Sequence, residues 1–234
     1  MPKSSPLLVL SFVLGLCPAA SVNAQTAPPR IIFADSPALL IQIDGDPVYR
    51  DVPGTALQRI VNTRPLIVRD HMNGHFLRIL DGWMEAYSLL DAWSVAGVPP
   101  EGGGVAIRQA RAATNVDLLS DGAAQGARRP AGGGATQKLN DTDAPAIYIS
   151  TTPAVLVVTD GPPKFAPIAG TSLEYVANTT ANVFREPTDQ EIYLLASGQW
   201  LRSWTTEGPW QFVPSDQLPA DFAKIPATQL KSNR

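Results

Sequence analysis

The chain has 234 residues, 44% hydrophobic and 17% charged, with a formal net charge of −3 and a pI near 5.4. That is enough apolar material for one ordinary core or two small ones, and it supplies no basic surface for a polyphosphate, so nucleic acid is not an expected partner. Its 18 glycines and 22 prolines fall below the roughly 25–30% share that marks disordered or fibrous chains, yet they imply frequent turns.

The first 24 residues read as a cleaved signal peptide. Lys3 supplies a positive start, Pro6 to Leu16 contains an apolar run too short to span a bilayer, and Val22 and Ala24 are small residues at the −3 and −1 positions of a cleavage site. A lipoprotein reading through Cys17 is disfavoured by Leu16, which stands where such signals want a small residue. Without the leader the chain is 210 residues long, carries a charge of −4 and has no cysteine. Disulfides and thiol nucleophiles are then excluded. The expected location is the periplasm or the exterior, with no membrane span once the leader is removed.

Beyond the leader, residues 37–82 align without a gap on residues 153–198 at an offset of 116, with 13 of 46 columns identical. Among them are Asp44/Asp160, Gly45/Gly161, Gly54/Gly170, Thr55/Thr171, Asn62/Asn178, Thr63/Thr179, Arg69/Arg185 and Gly82/Gly198. A one-residue insertion at Gln199 then moves the offset to 117, pairing Trp83 with Trp200, Tyr87 with Trp204 and Trp93 with Trp210. In chain order, Ile31–Phe33 and Ala38–Ile43 run up to Asp44-Gly45, as Ile147–Ser150 and Val155–Thr159 run up to Asp160-Gly161. Both are hairpin signals. Leu57–Val61, Leu66–Arg69 and Phe76–Leu80 continue as strands to an Asp81-Gly82 turn before Trp83–Tyr87. Ile192–Ala196 and Trp200–Trp204 flank Ser197-Gly198-Gln199 in the second copy.

The expected fold is therefore all-β, with two tandem small antiparallel β modules over residues 28–98 and 146–227. A Gly/Ala-rich linker at 99–145 joins them, its Val105–Leu119 stretch spaced like a short helix, and 228–234 forms a disordered tail.

The stretches Ile147-Tyr-Ile-Ser-Thr-Thr-Pro153, Val158-Thr-Asp-Gly-Pro162, Tyr193-Leu-Leu-Ala-Ser-Gly-Gln-Trp200 and Gly208-Pro-Trp210, with Leu80-Asp-Gly-Trp-Met-Glu-Ala-Tyr87 in the first copy, resemble a group of secreted bacterial proteins. Those proteins carry the label carbohydrate-binding family V/XII. The resemblance covers essentially all of the chain after the leader. Two departures are Gly198-Gln199-Trp200, where the group more often has Gly-Arg-Trp, and a chain that stops soon after Ile225-Pro226. No binding residue carries over from the group, whose label implies only a carbohydrate as the ligand class.

The residues themselves point to one constellation. Alternation along a strand places Trp200, Arg202 and Trp204 on one face, and Trp83, Glu85 and Tyr87 repeat the arrangement. Rings beside charges suit the stacking and hydroxyl contacts of a sugar, while the same tryptophans could instead fill a small core with Arg202 laid over them. His71 and His75 have the spacing of helical metal ligands, but Asn73-Gly74 between them favours a turn. Asp216 and Asp221 stand near each other without anything that raises them above surface acids, and Asn178-Thr-Thr180 has the form of a glycosylation sequon. No phosphate loop or nucleophile motif is present, so no enzyme activity, cofactor or metal is expected. The expected role is an exported binding or scaffolding protein of the bacterial envelope. Its partner is a carbohydrate or peptidoglycan, with another envelope protein as the alternative.

Overall fold

A computed structural model describes residues 27–121 and 138–230, so residues 1–26, on which the expected signal peptide falls, 122–137 and 231–234 lie outside the described part. Strands β1 (Arg30–Ala34) and β2 (Ala38–Gln42) come first. A meander follows: β3 (Tyr49–Asp51), β4 (Gln58–Ile60), β5 (Ile67–Arg69), β6 (His75–Ile79), β7 (Gly82–Ala86) and β8 (Ser94–Val95). Helix α1 (Gly103–Ala112) separates it from β9 (Ala146–Ser150) and β10 (Ala154–Val158). The second meander is β11 (Phe165–Pro167), β12 (Glu174–Val176), β13 (Asn182–Glu186), β14 (Glu191–Ala196), β15 (Gln199–Ser203) and β16 (Gln211–Val213). Each meander is an antiparallel sheet of six strands in sequence order, so the all-β expectation holds.

The strands that precede the meanders do not stay with their own copies. β1 pairs in parallel with β10, and β2 pairs in parallel with β9. Leu39 and Ile41 of β2 join Ile147 and Ile149 of β9 in the core beneath the first sheet, with Ile60, Ile67, Leu77 and Met84. Ile31 of β1 and Val157 of β10 do the same beneath the second, with Val176, Leu194, Leu201 and Trp210. The two pairs then pack on one another through Ile32, Ala34, Ala38, Leu156 and Val158. The result is four layers related by a pseudo-twofold, each half closed by a strand from the other. This corrects the expected hairpins at Asp44-Gly45 and Asp160-Gly161: those turns end a strand whose partner lies in the opposite copy. The physical reason is burial on both faces. A strand enclosed between two layers is apolar along its whole length, as Ala38-Leu-Leu-Ile41 and Ala154-Val-Leu-Val-Val158 are, and parallel pairing is the arrangement such strands adopt.

The identical columns have identical structural work. Asn62 Nδ2 donates to Asp44 O (2.7 Å) and Asp46 O (2.8 Å) while its Oδ1 accepts from Val48 N (2.9 Å). Asn178 repeats this with Asp160 O, Pro162 O and Lys164 N at 2.8, 2.9 and 2.8 Å, so its side chain serves turn chemistry. Thr63 and Thr179 each donate back to the end of the preceding long strand, at Gln42 O and Val158 O. Arg69 lies over the Tyr49 ring at 3.8 Å and Arg185 over the Phe165 ring at 3.7 Å. Gly54 and Gly170 have φ of 77° and 80°, a left-handed conformation that costs glycine least.

The register shift falls elsewhere than at Gln199. Arg69 and Arg185 pair with His75 and Ile192 respectively, and the positive-φ residues Asn73 and Gln190 already stand 117 apart. The extra residue therefore sits in the turn before β14. In the following hairpins the two-residue turns are Leu80-Asp81 and Ser197-Gly198, with Gly82 and Gln199 opening the next strands. Gly82 is thus the counterpart of Gln199, not of Gly198.

The outer face of each sheet has its own cover. Ala106 and Ala110 of α1 pack on Val52, Leu57, Leu66, Val68 and Trp83. The helix is shorter than the expected Val105–Leu119: after Ala113 the chain extends so that Asp117 N donates to Arg64 O and Leu66 N to Asp117 O, at 2.8 and 3.0 Å. Residues 122–137 of the glycine-rich linker lie outside the described part, but its two described stretches are part of the packed body, with Leu119 buried in the first core and Leu139 packed against it. On the second sheet the cover is a pair of 3₁₀ turns, Ser215–Gln217 and Ala220–Lys224. Phe222 there packs against Tyr193, Trp200 and Phe184 with ring centroids 4.7, 5.2 and 6.0 Å away. Asp221 fastens this cover. It bonds Lys224 Nζ, Ser172 N and Ser172 Oγ at 2.7, 2.7 and 3.0 Å, which pulls its carboxyl down to about 2.

Candidate functional site

The strands singled out by the sequence are equivalent, β7 in one sheet and β15 in the other, and alternation does place their rings on the outer faces. The covers then divide those rings into two kinds. Trp83 is 5% exposed beneath α1, so near the helix that a methyl on Gly103 would stand 3.2 Å from the indole. Trp200 is half-buried, edge-on to Phe222 and tilted against Phe184 at 5.7 Å. Tyr87 and Trp204, one residue past the strand ends, escape both covers at 93% and 64% exposure. Of the six residues read as a sugar platform, the two rings nearer the strand starts thus belong to the packing, and the two at the ends face water.

The charged residues between them differ. Glu85 is half-exposed and lines the hollow described below. Arg202 Nη1 lies 3.6 Å from Glu191 Oε1, whose other oxygen accepts a 2.6 Å hydrogen bond from Tyr193 Oη. Burial and the adjacent Glu191 both raise the Tyr193 phenol. Arg202 is therefore held over the sheet by Glu191. Trp93 and Trp210 fill the cores, each donating its indole N–H at 3.3 Å to a carbonyl four residues earlier, Leu89 O and Thr206 O.

Beside Tyr87 lies a hollow of about 340 Å³, its walls including Met72, His75, Phe76, Glu85 and Asp91. Asp70 shapes the turn above it by accepting from Met72 N and Gly74 N at 2.9 and 2.8 Å, which leaves Met72 77% exposed at the tip. His75 is buried and shares a 2.9 Å hydrogen bond between Nε2 and Tyr49 Oη. Burial is the main cause that lowers its pKa, so the ring is neutral near pH 7. His71 is exposed in the turn, and strand and turn separate the two histidines. Among the described residues no group of three or more His, Cys, Asp or Glu side chains could hold a metal ion. Asp216 is exposed, and Asp221 is committed to the cover.

Sequence reasoning missed Met72 and Leu90, the latter 73% exposed on the connection that follows Tyr87. A signal was present: Leu89-Leu90 interrupts a polar loop, and only one of the two is needed by the core, where Leu89 lies. No helix among the described residues is long and apolar enough to cross a membrane. No protein-family model, no curated protein and no solved structure matches the chain.

Proposed function

We propose that the protein is a non-enzymatic binding module, exported to the envelope or beyond, that engages a partner protein through the surface around Tyr87. One observation carries this reading. The tryptophans nearest the covers are spent on packing, while Met72, Tyr87 and Leu90, three large apolar side chains, stand in water at one end of the first sheet. Aromatic residues and methionine are enriched at protein interfaces, and groups of exposed apolar residues mark such sites. Replacing Tyr87 by a photo-crosslinking phenylalanine analogue in cells is expected to give one discrete protein adduct that Leu90→Asp abolishes. The same analogue at Asp216 should give none. Equal labelling at both positions, or none at Tyr87, would count against the proposal.

A second reading, carbohydrate or peptidoglycan as the ligand, is favoured by the recurrence of an exposed ring at the same repeat position, Tyr87 and Trp204, each two residues after a charged side chain, Glu85 or Arg202. Stacking on a sugar would use the open faces of both rings. In that case Tyr87→Ala and Trp204→Ala would each weaken sedimentation with insoluble peptidoglycan, and the crosslinking adduct would be absent.

A further inference from the structure

The outer face of the first sheet carries opposite charges at its two edges. Register places Arg50, Arg59, Val68, Phe76, Glu85 and Ser94 side by side in one row from β3 to β8. The row opens with two arginines at the β3 edge and has a carboxylate next to the β8 edge. Asp91 adds a second carboxylate there, since it lines the same hollow as Glu85 and Ser94. Arg50 is exposed and Glu85 half-exposed. Among the described residues neither has an ion-pair or side-chain hydrogen-bond partner. Both edges also have backbone groups that face outward. Ala96 N donates to Trp83 O at 2.9 Å, so by alternation the backbone of Ser94 faces β7 while the N–H and C=O of Val95 point away from the sheet. At the other edge Val52 N donates to Leu57 O at 2.8 Å and Val61 N to Val48 O at 2.9 Å, which turns the N–H and C=O of Tyr49 outward in the same way. An unpaired edge of this kind is a template for another strand.

We infer that the partner at this surface is a second copy of the chain, whose β3 adds to β8 and continues the first sheet from one molecule into the next. Every neighbouring pair from β3 to β8 is antiparallel, so β3 and β8 run in opposite directions and a copy displaced across the sheet meets its neighbour antiparallel. Setting the outward residues Val95 and Tyr49 opposite one another brings Ser94 opposite Arg50 and Ala96 opposite Val48. The arginine then joins the row beside Ser94, at the hollow lined by Glu85 and Asp91. Val48, 48% exposed in one molecule, gains an apolar neighbour. Charge selects this arrangement: β3 on β3 sets arginine against arginine, β8 on β8 sets carboxylate against carboxylate, and the unlike edges attract. The contact is heterologous and leaves a free edge at either end, so it can repeat.

The chain's own segments outside the described part fit this edge less well than β3. In the same register Lys3, the one basic side chain of residues 1–26, would set Pro2 opposite Val95, and proline lacks the amide a strand must supply there. Residues 122–137 offer Arg128 or Arg129, but with Gly126 or Ala127 in the place of Val48. Lys231 and Arg234 have Gln229 and Ser232 in that place. The inference rests on the reading of a protein partner around Tyr87 and names that partner.

Sedimentation equilibrium of the chain lacking its leader, at low salt, is expected to show a mass that climbs with concentration past that of a dimer. Arg50→Glu and Glu85→Lys should each weaken the association about tenfold or more. An equimolar mixture of the two variants should recover it, because each altered edge then meets an opposite charge. Asp91→Lys takes the place of Glu85→Lys if the latter melts early. A chain that stays monomeric at every concentration, association indifferent to both single variants, or a mixture that fails to recover it overturns the inference. So does association confined to the full chain and lost when residues 1–24 are removed, which would make the leader the occupant. A Tyr87 crosslink to a different protein, with this chain monomeric, would keep the reading of a protein partner and overturn the second copy alone.

Discussion

A chain that begins at Ser36, lacking β1, is expected to lose the native fold of its C-terminal half. β1 contributes five parallel register positions to β10, and its residues are spread over two cores: Ile31 lies under the second sheet, and Ile32 and Ala34 between the central layers. Phe33 adds a ring stacked on Trp210, centroids 6.0 Å apart and planes 10° from parallel. Losing two buried isoleucines forfeits about 1.5–3 kcal/mol each in transfer alone. The exposed edge of β10 and the vacated space add to that, against a typical total of about 5–15 kcal/mol. The measurement is Trp fluorescence and near-UV circular dichroism of the truncated chain. A red-shifted spectrum without a cooperative melt is expected. Independent modules would give a different result, with the second copy's Trp210 signal untouched by a deletion in the first.

Trp83→Ala is expected to destabilise the protein by about 3–5 kcal/mol, the usual cost of truncating a buried large aromatic. The indole is sandwiched between the outer face of the first sheet and α1, and the helix has only two buried alanines, Ala106 and Ala110, with which to close a gap. For a chain of this size that corresponds to a fall of roughly 10 °C in melting temperature. Tyr87→Ala and Trp204→Ala should each stay within about 0.5 kcal/mol of the parent, because removing an exposed ring opens no cavity. Thermal melts of the three variants check the division of the rings directly. A similar loss for all three would mean that the exposed rings are structural after all.

The repeat was legible because its identical residues are those whose side chains finish the backbone's hydrogen bonding. Asn62 and Asn178 each tie three backbone groups of one turn, a task no other residue type does as well, so they persist while the apolar positions drift among Ile, Leu, Val and Ala. Meander strands were legible from their alternation and turns. The exchange of β1 and β2 with β10 and β9 was not, because a strand's partner is a non-local matter: the same five residues would suit a hairpin or a parallel pair. The remaining clue, apolar residues on both faces of Ala38–Ile41 and Ala154–Val158, indicates burial without naming the neighbour. Alternation likewise put Trp83, Glu85 and Tyr87 on one face correctly, but it could not tell where α1 would end its cover. Tyr87 is open and Trp83 closed because the helix lies over the strand's start. The insertion was misplaced because Gly82 and Gly198 are the same residue type on opposite sides of equivalent turns, and only the strand pairing distinguishes them.

The claim on which the rest depends is that the two copies form one interlocked body. It is tested by placing a specific protease site among the glycines at 132–134 and cutting the folded chain there. The account predicts that the two fragments travel together through gel filtration in native buffer and melt in one transition whose midpoint rises with concentration, as for any dissociating pair. Fragments that separate without denaturant, each retaining a cooperative melt of its own, would contradict it.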